Sequence, residues 1–173
     1  DKKELEKGSS NTAIPFSLDI FSNDIEQRLD NLAHRVIESD NIIFTGVGSS
    51  GLICDYAARR LAGVGINTFS FSDVTYPIAS KLQNTTNTLV IALSISGETN
   101  EIIEVLTSLR SNKDVYISCI TPKLNSSIAE LSDFVLTYRI NEHRINTHYD
   151  LTSQLPTVYL TERLTDLVYQ LSN

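Results

Sequence analysis

The sequence predicts an α/β protein, a parallel sheet with helices on both of its faces. Three observations lead there. Short apolar runs alternate with longer runs of helical periodicity, joined by short connections. The short runs are mostly apolar throughout rather than alternating, as strands buried on both faces must be. Two of them also end in loops of glycine and small hydroxyl residues, Gly46–Gly51 and Ser94–Thr99, that turn directly into a helix.

Residues 1–22 read as a lead-in. Lys2, Lys3, Glu4, Glu6 and Lys7 are solvated types, and Gly8-Ser9-Ser10-Asn11 resembles a linker. Asn23 is a candidate N-cap with Glu26 as its capping-box partner. Ile25, Leu29, Leu32, Ala33, Val36 and Ile37 then recur at helical spacing, and the helix should end near Ser39-Asp40. Ile42–Thr45 is the first strand. A helix should run from Leu52 to Val64 with Arg59 and Arg60 outside, stopped by Gly65. Ile66–Phe71 alternates as a second strand. Val74–Leu82 is expected to be a helix, with Pro77 confined to its first turn. Leu89–Leu93 is the third strand and Asn100–Leu109 the helix after it. Val115–Ile120 is the fourth strand, broken by Thr121-Pro122. Ser126 or Ser127 caps a short helix through Leu131, and Phe134–Tyr138 is the fifth strand. Arg139–Tyr149 is a polar loop. Leu151–Leu171 is a long helical pattern that Pro156 must either kink or begin.

The bulk properties narrow the function. The chain has 173 residues, 41% hydrophobic and 20% charged, which suits one globular domain. A net charge of −7 argues against electrostatic capture of DNA or anionic membrane by this chain itself. No run reaches membrane-spanning length, and the polar start is unlike a secretory signal, so a cytoplasmic location is expected. Cys54 and Cys119 lack metal or redox spacing and read as buried free thiols. No methionine occurs, and the sequence is read as a domain excised from a longer protein.

The two hydroxyl-rich loops carry the chemistry. Gly46-Val47-Gly48-Ser49-Ser50-Gly51 satisfies G-x-G-x-x-G between a strand and a helix, with Asp73 about twenty residues on. That is the context of a dinucleotide site. Against it, Ser49-Ser50 supplies two hydroxyls where a pyrophosphate needs close backbone approach, and glycines are few. A second loop, Ser94-Ile95-Ser96-Gly97-Glu98-Thr99, also ends the third strand. In a doubly wound sheet the ends of strands one and three flank the point where strand order reverses, so one ligand would be gripped from both sides. Hydroxyl donors and a helix N-terminus suit an anion.

The segments IIFTGVGSSG, LVIALSISGET and ITPKLNSSIAELSDFVL resemble the SIS domain, the sugar isomerase module that binds phosphosugars. The resemblance implies a flavodoxin-like three-layer fold with a five-stranded parallel sheet in the order 2-1-3-4-5. It implies a sugar phosphate at the switch point, with Gly48, Ser49 and Ser50 in one loop and Ser94, Ser96, Gly97 and Thr99 in the other. The flanking helices, Asn23–Ser39 and SQLPTVYLTERLTDLVYQL, resemble the effector domain of RpiR-type transcriptional regulators. That likeness implies a sugar phosphate effector and DNA contact only through an N-terminal helix-turn-helix domain. A homodimer or higher homo-oligomer is expected, and the long last helix, with more apolar positions than one domain face needs, is the candidate interface. Residues 23–173 would form the phosphosugar-binding domain. No cofactor, metal or catalytic residue is expected. The alternative is a stand-alone aldose–ketose isomerase using Glu98, His143 or His148 as its base. Glu98 can equally complement the helix dipole, and His34 reads as a surface histidine. Tyr138, Arg139 and Arg144 read as surface residues too, although their loop could also come over the site.

Overall fold

A computed structural model describes residues 16–147 and 149–173; residues 1–15 of the expected lead-in and His148 lie outside the described residues. After a short 3-10 turn at Leu18–Ile20, the elements run α1 (Ile25–Glu38), β1 (Asn41–Thr45), α2 (Gly48–Gly63), β2 (Thr68–Phe71) and α3 (Ile78–Lys81). Then come β3 (Thr88–Leu93), α4 (Asn100–Leu109), β4 (Val115–Ile120), α5 (Ser127–Leu131), β5 (Phe134–Leu136) and α6 (Leu155–Ser172). The five strands form one parallel sheet in the order β2-β1-β3-β4-β5.

Residue parity along each strand decides which layer a side chain joins. Ile42, Phe44, Leu89, Ile91 and Leu93 enter one core with α1, α2 and α6. Ile43, Val90, Ala92, Ile117 and Cys119 enter the other with Ile78, Ile102, Leu106 and Ile128 from α3, α4 and α5. Every residue of β3 is buried, as a central strand covered on both faces must be. Cys54 and Cys119 are free and fully buried, and burial lifts the Cys119 thiol to about 11.

Several boundaries differ from the sequence expectation, each for a local reason. The Asn23–Glu26 capping box does not form: α1 follows Asp24, and Glu26 instead pairs with Arg163 of α6 at 3.1 Å. Helix α2 begins at Gly48, so the last four of the six residues in the glycine loop are its first turn. Ile66 donates its N–H to Leu61 O at 3.1 Å, which keeps it with the end of α2 and delays β2 to Thr68. The expected Val74–Leu82 helix shrinks to Ile78–Lys81, because the Asp73 carboxylate takes the Thr75 N–H and hydroxyl and Pro77 stands at ψ 61°. Pro156 lies in the first turn of α6 and marks its start. Within the lead-in, Phe21 stacks on Tyr159 and Phe16 meets the same ring at a tilt, each at 5.3 Å, so this part is packed on the domain.

Candidate functional site

The site lies where β1 and β3 end side by side. Thr45 is in register with Ala92, so β1 ends one residue before β3 and Gly46 and Ser94 leave the sheet at neighbouring levels, while β2 and β4 lie on opposite sides. A cavity of about 280 Å³ opens there. Gly48, Ser49 and Ser50 form one wall, Ile95, Ser96 and Thr99 the opposite wall, and Arg144, Tyr149, Asp150 and Leu151 close it from the loop before α6.

The β1 wall is the N-terminal turn of α2. Gly48 starts it at φ +58°, a conformation that costs a side-chain-bearing residue about 1–3 kcal/mol. Val47 caps the helix without a side-chain bond, so the hydroxyls of Ser49 and Ser50 remain available to the cavity. Both instead meet Gln154, whose amide Nε2 donates to Ser49 Oγ at 3.3 Å and Ser50 Oγ at 3.1 Å.

The β3 wall is shaped by its own hydroxyls. Ser94 is buried, and its Oγ accepts the Gly97 N–H at 2.9 Å and bonds Thr99 Oγ1 at 3.0 Å. Ser94 and Gly97 therefore stand behind the cavity and brace the loop, whereas Ser96 and Thr99 face it. Ser96 Oγ accepts the Glu98 N–H at 3.1 Å. Gly97 adopts φ +67°, and a Cβ there would lie 2.2 Å from Ser126 Oγ. Its carbonyl accepts the Ile128 N–H of α5 at 3.0 Å, so the loop is fastened to the next helix.

The candidate bases fall elsewhere. The exposed Glu98 carboxylate turns to α5, where the Ser127 hydroxyl donates at 2.6 Å and the Ser127 N–H at 2.8 Å. Those bonds hold its carboxyl below the ordinary value. His143 lines a neighbouring, wider cavity with Lys123, Tyr138 and Arg139, and His148 lies outside the described residues. His34 is exposed, with Nδ1 2.9 Å from Asp30 O. Asp73 caps its own turn and does not reach the cavity, which removes the acid a dinucleotide would use. Among the described residues, no group of three or more His, Cys, Asp or Glu is placed to hold a metal.

Three residues at the site were not singled out as ligand groups from sequence: Asp150 and Arg144, which line the cavity, the latter read as a surface residue, and Gln154, which bonds the two serines of one wall. Arg144 donates to Asp150 Oδ2 at 3.1 Å, and the Thr152 N–H donates to Asp150 Oδ1 at 2.9 Å. Partial burial pushes the Asp150 carboxyl up, but the Thr152 hydrogen bonds and the Arg144 charge outweigh it and leave the group lowered. Tyr138 also departs from the surface reading. It is buried, with its hydroxyl 3.1 Å from Thr157 Oγ1.

A model of the SIS domain family matches residues 36–161. An HTH-type transcriptional regulator of Clostridium perfringens is 25% identical over 161 residues, covering 90% of this chain and 57% of the relative. The 3-hexulose-6-phosphate isomerase of Bacillus subtilis is 28% identical over 110 residues, 64% of this chain and 56% of that enzyme. The chain spans 38% to 57% of the length of the curated relatives it matches. Among solved structures, the Vibrio vulnificus NanR protein complexed with ManNAc-6P superposes with a TM-score of 0.73 at 20% identity, over 98% of this chain and 62% of that one. At that identity the likeness is one of fold.

Proposed function

The chain belongs to the SIS domain family, and from that premise we propose that it binds a sugar phosphate as the effector domain of an RpiR-type transcriptional regulator. The observation that carries this reading is the cavity at the switch point, walled by hydroxyls from two strand-to-helix turns. Ser96 and Thr99, at the N-terminus of α4, take the phosphate through neutral hydroxyls and first-turn N–H groups. Gly48, Ser49 and Ser50 meet the sugar from the opposite wall, while Ser94 and Gly97 fix the shape of the phosphate loop. The regulator relative supports an upstream DNA-binding domain, and NanR with its bound ManNAc-6P supports a phosphosugar effector. Occupancy then acts by population shift, favouring one arrangement of a homodimer whose DNA affinity differs.

Sugar phosphates, and not free sugars, should raise the melting temperature. At a hundredfold excess over Kd a ligand adds about 2.7 kcal/mol, or roughly 5–10 °C for a chain of this size. The double variant Ser96→Ala, Thr99→Ala should keep its fold and lose the shift. An unchanged melting curve across a broad panel of hexose and pentose phosphates rejects the reading.

Similarity to the Bacillus subtilis isomerase supports a second reading, aldose–ketose isomerisation. The carboxylate that lines the cavity is Asp150, and its ion pair with Arg144 makes it a weak base. Solvent-proton exchange into a hexulose phosphate, followed by NMR, separates the two: turnover by this chain establishes the enzyme.

A further inference from the structure

The cavity hydroxyls share a wiring pattern. Serine hydroxyls at the cavity already accept a hydrogen bond from the protein. The Glu98 N–H feeds Ser96 Oγ, and behind the wall the Gly97 N–H feeds Ser94 Oγ, which shares a hydrogen bond with Thr99 Oγ1. On the opposite wall no backbone N–H of the described residues plays this part. The feeding group is the side chain of Gln154, which reaches both Ser49 Oγ and Ser50 Oγ from the start of α6, more than a hundred residues along the chain.

An oxygen that accepts an N–H still has its own proton to give. A serine so fed therefore presents O–H to the cavity as a donor. Two adjacent donors match oxygen atoms that only accept: phosphate, carboxylate or carbonyl. They match an ammonium poorly. From this pattern we propose that Gln154 is a specificity-determining residue of the phosphosugar site. By donating both amide protons to Ser49 and Ser50, it fixes that wall as a pair of hydroxyl donors and selects ligands that present acceptor oxygens there. The inference rests on the phosphosugar reading above and adds to it the polarity of the wall opposite the phosphate loop.

Gln154→Glu tests it with almost no change of shape. A carboxylate only accepts, so both serine protons turn toward it, and its charge adds repulsion of an anion. A structural role predicts the opposite of damage, because an acid at the start of α6 complements the helix dipole. The measurement is isothermal titration of ManNAc-6P, fructose 6-phosphate and glucosamine 6-phosphate into the wild-type chain, Gln154→Glu and Gln154→Ala, with the melting temperature of each free protein. Gln154→Glu should melt at or above wild type and bind the tightest of these probes at least a hundredfold more weakly. Gln154→Ala, which removes the feeding donors without adding charge, should lose about tenfold, the scale of one hydrogen bond. Wild-type affinity retained by Gln154→Glu overturns the inference and leaves the phosphosugar reading standing. Failure of the wild-type chain to bind these three or any other member of the hexose and pentose phosphate panel sinks both.

Discussion

Glu98 is followed in the S-x-S-G-E-T loop by the helix whose dipole it could have complemented, yet its carboxylate reaches across to Ser127. It does for α5 what a capping residue does, from another segment of chain. The pH consequence has a definite sign. A carboxyl whose folded pKa is depressed contributes stability above its ordinary value of 4.5, and that contribution fades as pH falls through the lowered value. Carbon-detected NMR titration should place the Glu98 midpoint below 4.5, and Ser127→Ala should return it toward that value. A midpoint unmoved by Ser127→Ala would contradict the assignment. At this scale the sequence was a mixed guide. It marked Ser49, Ser50, Ser96 and Thr99, whose hydroxyls line one cavity. It could not separate Ser96, which faces the cavity, from Ser94, which is buried, because both are small hydroxyls two positions apart in one turn. Gln154 was out of reach because its role depends on a contact far along the chain. The one local signal was Leu155-Pro156: a proline in the first turn of a helix places the residue before that turn at the cap position.

At the scale of elements, β3 and β4 were legible because both faces of their central stretches are buried, and mostly apolar runs, broken in β4 only by Ser118, leave few alternatives. The start of α2 was not, because glycine and serine look like a loop even when they form the first turn. The helix after β2 was over-read because Asp73 offers the backbone a competing turn. One inter-element bond now carries a test. The segment just after β5 meets the start of α6 through the buried Tyr138–Thr157 hydroxyl pair, and burial pushes the Tyr138 hydroxyl up to about 12. Thr157→Val strands the tyrosine hydroxyl and should cost about 1–3 kcal/mol in urea denaturation. Adding Tyr138→Phe should recover most of that loss, since an apolar pair leaves nothing unpaired. Strictly additive losses would show that the two hydroxyls act independently.

For the whole molecule, parallel strands bring the ends of β1 and β3 to one edge of the sheet, so loops about fifty residues apart form a single cavity. The helices α2 and α6, joined by Arg60 to Glu162 and Asp166, expose Leu52 and Tyr56 on one and Leu155, Tyr169 and Leu171 on the other. If these residues form the homodimer contact, sedimentation velocity at micromolar concentration should report a dimer, and Leu52→Glu with Tyr169→Glu should leave a folded monomer. A wild-type monomer at those concentrations would remove the dimer from the reading. No helix among the described residues is long and apolar enough to cross a membrane. The brace formed by Ser94 has a thermodynamic meaning as well. Because its hydroxyl already closes the loop on the Gly97 N–H, the entropy of ordering that loop belongs to folding. On the sugar-phosphate proposal, hydroxyls at 96 and 99 would add to a ligand's heat of binding, whereas the hydroxyl at 94 would act through disorder that binding does not have to remove.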